Sequence, residues 1–514
     1  MSGGPTTDAR QHSISPPWPV VAGQWSTAVL AALAIALLPL PQLLAAVGLT
    51  LAVTLPLLNP VFGVYLAVLS VPVQDLVTLP GGLSCTQAAV LLALAGWGLH
   101  LVRARTWQTW GAAGTAHTAP RVPPARLLAL WLALLWALLL SASLTPYSRA
   151  EGLKETARWG GAFLIWLIGA STVRRPWQIY GLAACLIAAP TAEAIVGLVQ
   201  FATGDGPPTF RIAPDSSFVR AYGTIGQPNS FAGYMNMAWP VAAALAIASV
   251  RLRGVGPAAQ LALSAALWCA AALLLAALIA SFSRGAWLGA ALGALGMAAV
   301  LGRRAALAAG LTLGAGVLAL ALGGAGLLPE SVATRIASIS RSVGLFDAEG
   351  VTVTPENFAV VERMAHIQAG WRMLQERPVV GVGPGNYSIA YPEFAVGTWY
   401  ISRGHAHNYY LHIAAEAGLA GLAAYLALIA AIAARAVIAV RATSATVARS
   451  VTVGCCGMIV AVAGHNLFEN LHVLNMGIQL AAGWVLAEAV VRLPATGGTA
   501  AQLGASPANV HQGK

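Results

Sequence analysis

The sequence predicts an all-α fold: a polytopic transmembrane helix bundle of about 12–14 spans with one large extracytoplasmic loop containing short helices. Three observations predict it. Of the 514 residues, 58% are hydrophobic and only 9% charged, with a mean hydropathy of +0.73. A soluble domain carries roughly 25% charged residues, so this chain has too few to cover a water-facing surface, and its solvent is lipid. Apolar runs then recur along its whole length. Finally, the basic residues segregate into alternate connections.

The runs fall at about 18–40, 42–58, 60–74, 85–102, 126–143, 159–173, 177–203, 229–250, 260–281, 285–302, 304–323, 408–434, 450–468 and 473–491. A helical span needs about 20 residues, and some runs are short or broken, as at Pro39 and Pro41. Helices are the default because in lipid each backbone group must find its partner within the segment. The Gly- and Ala-rich stretch 285–323 suits close helix contact.

Orientation follows from Arg and Lys in the connections. One alternate set holds Arg10, Arg103, Arg105, Arg121, Arg126, Arg174, Arg175, Arg251, Arg253, Arg303, Arg304, Arg435, Arg441, Arg449, Arg492 and Lys514, against Asp8 alone among acids. This set and both termini are expected in the cytoplasm, the chain being a multi-pass protein of the inner (cytoplasmic) membrane. The net charge of +11 is then a topology signal, and no nucleic-acid partner is expected. No cleavable signal peptide is expected at the N-terminus. The five cysteines lie in or beside apolar runs and read as packing residues.

The chain divides into N-terminal helices (1–203), central helices with two Arg motifs (204–323), a large periplasmic loop (324–407), C-terminal helices (408–491) and a disordered tail (492–514). Within the loop, 356–377 reads as an amphipathic helix with Met364, Ile367, Trp371 and Leu374 on one face. Pro378 ends it, and Gly381–Asn386 forms a turn. Asn386-Tyr387-Ser388 matches a glycosylation sequon formally.

Three constellations can carry chemistry. His407-Asn408, nine residues, then Gly418-Leu419-Ala420-Gly421 stands where the loop re-enters the membrane, with Glu416 between. An imidazole at a helix N-terminus tends to stay neutral and can act as a general base; an interfacial His with packing glycines is the bland alternative. Ser283-Arg284-Gly285-Ala286-Trp287-Leu288 puts one Arg between two apolar runs, where a guanidinium can grip phosphate with two donors or simply snorkel to the interface. Arg220, ahead of Gly223-Thr224-Ile225-Gly226-Gln227-Pro228-Asn229, is a weaker case of the same kind. Glu193 and Glu488 inside spans, and Glu469 at the edge of one, would suit a proton-coupled transporter.

Together these pieces resemble the O-antigen ligase family. Arg284 to Leu288 matches its R-x3-L motif, and His407 to Gly421 its H-[N/S/Q]-x9-G-x-x-G motif. Arg363, Trp371, Pro378, Gly381-x-Gly383-Pro384-Gly385-Asn386 and Gly223-x3-Gln227-Pro228-Asn229 are similar too, so the likeness covers about 210–490. It implies a membrane glycosyltransferase of lipopolysaccharide or related polysaccharide biosynthesis. Such an enzyme moves a glycan from undecaprenyl diphosphate to an acceptor hydroxyl on a lipid or protein, at the periplasmic face, with no cofactor or metal. The resemblance assigns His407 as base, Arg284, Arg220 and Arg403 as the diphosphate clamp, and Asn408, Glu416, Gly418, Gly421 and His405 as support. A repeat-unit polymerase and a protein O-oligosaccharyltransferase share the pattern. A transporter or flippase, and a membrane scaffold, are the readings of another class.

Overall fold

The computed structural model describes residues 39–79, 81–109, 123–212, 216–252, 254–327, 346–354, 357–444 and 446–491. Expectations for the run before 39, for Arg10, Arg121 and Arg253 and for the tail 492–514 concern residues outside that set. The chain divides into two compact units, Met1–Leu55 and Pro56–Lys514. In the first, residues 40–55 lie on α1 (Leu40–Leu58), whose Leu40, Leu44 and Leu49 are exposed.

The second unit is helical almost throughout. Its membrane-type helices are α2 (Pro60–Ser70), α3 (Cys85–Thr109), α4 (Ala125–Leu144), α5 (Arg149–Thr172), α6 (Pro176–Thr203), α7 (Pro228–Asn236), α8 (Trp239–Ser249), α9 (Pro257–Ala280), α10 (Arg284–Leu301) and α11 (Arg303–Leu327). After the loop helices α12 (Phe358–Glu376) and α13 (Tyr387–Phe394) come α14 (Tyr409–Ala442), α15 (Thr446–His465) and α16 (Gly477–Val491). Among the described residues, nine segments are long and apolar enough to cross a membrane, with shorter apolar helices at Pro60–Val73 and Gly477–Val491. The strands among them are one hairpin, Thr78–Leu79 with Leu83–Ser84.

Local chemistry sets the helix starts. Proline at the first helical position, where its missing N–H costs nothing, opens α2, α6, α7 and α9. Side chains cap others: Ser148 accepts from the Glu151 N–H at 3.2 Å and Gln227 from that of Ser230 at 2.8 Å. Lipid supplies the solvent for the periphery. Trp136 on α4, Leu261 on α9 and Leu311 on α11 are 66%, 72% and 74% exposed, and apolar faces of that kind do not persist in water. The centre is α7, α8 and α15: the span Pro228–Ser249 is 83% buried and Thr446–His465 72%, against 28% for Pro257–Ala280. All five cysteines are free thiols: Cys455 and Cys456 are buried, Cys85 and Cys185 half-buried and Cys269 exposed.

Two expectations change. The run 229–250 is not one helix: it breaks at Met237–Ala238. Pro240 lacks an N–H and its ring would clash with the carbonyl four residues back, so the chain restarts at Trp239. Asn236 seals the break, donating to the Ala286 carbonyl at 3.0 Å and accepting from Trp239 Nε1 at 2.9 Å. On α12, Met364 is buried as expected, but Trp371 is 54% exposed. The buried face is instead Val361, Ala365, His366, Ala369, Gly370 and Met373. Its small residues let the helix sit close against Tyr387, Tyr391 and Ala406.

The connections at one end of the bundle are laced together. The turn before α5 bonds to Asn386, whose Oδ1 accepts from the Ser148 N–H at 2.9 Å. That amide is fully buried, so it is a structural pin and not a glycosylation site. Asn475 donates to Gln74 Oε1 at 2.6 Å, the Tyr409 N–H to the Asn466 carbonyl at 2.8 Å, and the Ala221 N–H to the Ala280 carbonyl at 3.0 Å. Arg174, Arg175, Arg251, Arg303 and Arg304 lie at the other ends of the same helices.

Candidate active site

Arg284 is delivered by a tight turn and a glycine stripe. The turn 281–283 joins α9 to α10 through Phe282, whose φ of +52° is left-handed and whose ring stacks on Phe201. Arg284, half-buried, is the first residue of α10. Behind it Gly285, Gly289 and Gly293 repeat every four residues on one face. A Cβ at Gly289 would stand 2.6 Å from the Ala461 carbonyl oxygen, and one at Gly285 2.8 Å from Phe468 Cβ and 3.1 Å from His465 Cδ2. Only glycine lets α10 lie this close to α15, and the stripe holds Arg284 against the connection that follows His465.

His407 is set by a broken helix. Asn408 caps α14, accepting from the Leu411 N–H at 3.0 Å. Two turns later Gly418 leaves helical geometry at φ +67° and ψ −173°. Its break frees the carbonyls of Ala415 and Glu416, which accept from the N–H groups of Val382 and Gly383 at 2.9 and 2.8 Å. The turn 378–386 is thus spliced into α14 like a short strand. A Cβ on Gly418 would strike the Val379 carbonyl. The Glu416 carboxylate closes the splice, accepting from Gly385 N–H and Tyr387 N–H, both at 2.9 Å. Glu416, Gly418 and the Gly381–Asn386 turn therefore form one docking joint at the foot of His407.

A hydrogen-bonded chain links the Arg and His elements. Arg220 donates through Nε to the Ser281 carbonyl at 2.7 Å and through a terminal nitrogen to Asn229 Oδ1 at 2.9 Å. Asn229 Nδ2 donates to Glu469 Oε2 at 2.6 Å. The other oxygen of Glu469 lies 2.7 Å from His405 Nε2. His405 Nδ1 in turn accepts from the His407 backbone N–H at 3.1 Å. Its partners fix the tautomer: Nε2 carries the proton that Glu469 accepts, and Nδ1 has no lone pair to spare. His366 is committed in the same way, donating from Nδ1 to the Glu362 carbonyl at 2.7 Å and accepting the Arg403 N–H at Nε2.

His407 differs from both. Its ring centroid is 4.4 Å from that of His405 and 5.5 Å from that of His366. Both its ring nitrogens are buried with no hydrogen-bond partner among the described residues. Burial first, then His405, Arg363 and His366, hold its pKa well below the usual imidazole value, with Glu469 opposing. The helix terminus anticipated from sequence is not among these causes. Burial would raise the Glu469 pKa, but His405, His407 and Arg363 outweigh it and hold the carboxyl well below the usual carboxylate range.

His405, His407 and Glu469 bring three possible metal-ligand atoms within 4.8 Å of one another. Two ligands on a tetrahedral Zn²⁺ at ~2.0 Å stand about 3.3 Å apart. The 2.7 Å contact between His405 and Glu469 is that of a direct charge-assisted hydrogen bond.

Of the sequence-derived residues, Arg220, His405 and His407 are joined through Asn229 and Glu469, Asn408 caps the helix beside them, and Arg284 precedes Gly285, which packs on His465 and Phe468. Arg403 does not join them through its side chain: its Nε pairs with Glu362 at 2.8 Å, in an exposed position. Sequence reading assigned no site role to Asn229, Arg363, His366 or His465, and named Glu469 only as a relay. One signal was available: His465-Asn466-Leu467-Phe468-Glu469-Asn470-Leu471-His472 is too polar for a connection between two apolar runs.

The fold and site define a multi-pass membrane protein with a polar cluster of arginine, histidine and glutamate at one end of its bundle. Residues 269–426, which contain Arg284 and His407, match the family model described as O-antigen ligase. No curated protein matches the chain. Arg220, Asn229 and Glu469 lie outside the matched segment yet fold against it.

Proposed function

We propose that the protein transfers a glycan from undecaprenyl diphosphate to an acceptor hydroxyl, with the chemistry at the periplasmic face of the inner membrane. Arg284 and Arg220 bind the diphosphate, and their fixed charge stabilises the negative charge that grows on it as the sugar leaves. His407 accepts the acceptor's hydroxyl proton. The acceptor oxygen bonds to the anomeric carbon, the bond from that carbon to the diphosphate oxygen breaks, and undecaprenyl diphosphate departs with the electron pair. A diphosphate is already an activated leaving group, so this reading needs no metal.

The observation that carries it is the contrast between the two neighbouring histidines. A general base needs a free lone pair. His405 has both nitrogens engaged, whereas His407 has neither engaged and is kept neutral. The carboxylates that would serve a transporter are otherwise occupied. Glu193 accepts from Thr224 and Ile225 N–H groups, and Glu488 pairs with Arg435 at 2.9 Å.

The test is His407→Ala, assayed for transfer of a lipid-linked glycan in membranes with equal protein abundance. Loss of a general base is expected to slow transfer by roughly 10²–10⁴-fold. Transfer within threefold of wild type would remove His407 as the base and the reading with it.

A further inference from the structure

On α12, Arg363 stands about one turn before His366, whose ring meets that of His407 edge-on at 5.5 Å. Arg363 is half-buried, and its charge is felt by both His407 and Glu469. Yet it makes no hydrogen bond or ion pair to a described residue. The carboxylates around it are taken: Arg403 holds Glu362, and Asn229 and His405 hold the two oxygens of Glu469. Two imidazoles of the same cluster, His407 and His465, also have both ring nitrogens buried without a partner among the described residues. His465 in turn lies against the start of α10, where a Cβ on Gly285 would stand 3.1 Å from its Cδ2. A guanidinium cannot discharge, and it brings five donors. Leaving such a group half-buried and unmatched is costly.

We propose that Arg363 is a third ligand of the donor diphosphate, supplied by the loop helix α12 and acting beside Arg220 and Arg284. The inference rests on the transfer reaction proposed above and adds a residue to it. Arg220 and Arg363 bear on one carboxylate from separate elements: Arg220 reaches Glu469 through Asn229, and Arg363 through its field. A glycan diphosphate carries a charge on each phosphate, and the leaving diphosphate gains another as its bond to the sugar breaks. A fixed cation with unmatched donors answers that added charge. Its place by His407 sets the anion next to the hydroxyl that His407 deprotonates.

The test reads binding before turnover. Protein in nanodiscs is titrated with farnesyl diphosphate, and with farnesol as the uncharged control. Arg363→Gln should weaken farnesyl diphosphate binding at least about tenfold, the loss of one hydrogen bond to a charged group, and leave farnesol unchanged. Arg363→Lys keeps the charge but not the fork and should recover part of the loss. In steady-state transfer by the Gln variant the donor KM should rise and the acceptor KM stay. A second measurement uses wild-type protein, where folding is not at issue: farnesyl diphosphate should block phenylglyoxal labelling of Arg363, read by peptide mass spectrometry, and farnesol should not. Farnesyl diphosphate binding within threefold of wild type in the Gln variant would overturn the proposal. So would labelling that farnesyl diphosphate leaves unchanged, or a rise confined to the acceptor KM, which would put the anion on the acceptor. His407→Ala keeps the two readings apart. Retained transfer there sinks the reaction, whereas lost transfer there with unaltered diphosphate binding in Arg363→Gln sinks only the Arg363 assignment.

Discussion

Glu469→Gln is the substitution that tests the site as a network. The carboxylate accepts two hydrogen bonds, from Asn229 at 2.6 Å and from His405 at 2.7 Å, and is 2% exposed. Glutamine keeps the shape but offers one oxygen and one NH₂, so one partner would face a donor. Neither partner can reverse. Flipping the Asn229 amide breaks its bond from Arg220, and moving the His405 proton to Nδ1 breaks the bond from the His407 N–H. One charge-assisted bond is therefore lost outright, worth about 1.5–3 kcal/mol. At about 2 kcal/mol, the displaced His405 backbone and the loosened Arg220 should lower kcat/KM for transfer about 30-fold. The assay is steady-state transfer in nanodiscs, with Glu469→Asp as a partner variant that keeps the charge and recovers part of the loss. A Gln variant within threefold of wild type, at equal abundance, would refute the claim that this carboxylate positions the base.

Further outcomes follow from the same geometry. Arg284→Lys keeps the charge but loses the two-pronged grip, so most transfer should be lost; near wild-type rates would argue against bidentate phosphate binding. Gly418→Ala must hold φ +67° with a side chain and meet the Val379 carbonyl; backbone strain alone costs about 1–3 kcal/mol, visible as a lower melting temperature in detergent. Acid should destabilise the fold. Buried His472 titrates at about 3 and His407 well below its ordinary value, so the unfolded chain binds more protons than the native one and stability falls as pH drops below about 6.5. At pH 5.5 His472 contributes a loss of about 1.4 kcal/mol, and His407 acts in the same direction; both are measured as a shift in midpoint that His472→Gln should reduce. For the same reason transfer should show no acid limb near pH 6.5, since neutral His407 persists below it.

The bundle was legible because lipid imposes a local rule: every span must be apolar and helical over its own length. Arg284 and His407 were legible because their neighbours perform local tasks, a glycine stripe in one case and a helix cap with a glycine break in the other. The Glu469–His405 pair was not, because it joins residues on separate connections and nothing in either segment encodes the other. The face of α12 was misjudged for a related reason. The spacing of Met364, Ile367, Trp371 and Leu374 marks the bulkiest apolar residues, but the close approach of Tyr387, Tyr391 and Ala406 selects Ala369 and Gly370 instead. Size predicts which residues leave water; it does not predict which face must be thin.

The backbone itself carries one more argument about how the site works. Phe282 and His407 both have φ of +52°, a conformation that costs a residue with a side chain about 1–3 kcal/mol. Each bears on a motif residue: Phe282 stands two before Arg284, and His407 is itself the proposed base. Strain of this size persists only where surrounding contacts over-determine it. At Phe282 those contacts are the Phe201 and Trp287 rings. At His407 they are the His405 bond ahead of it and the Asn408 cap behind it. A site whose His, and the turn that leads into its Arg, are held on strained backbone is organised before substrate arrives. It follows that relaxing either strut, by Phe201→Ala or Asn408→Ala, should reduce kcat more than it raises the donor KM, because the losses fall on alignment in the transition state and not on ground-state binding.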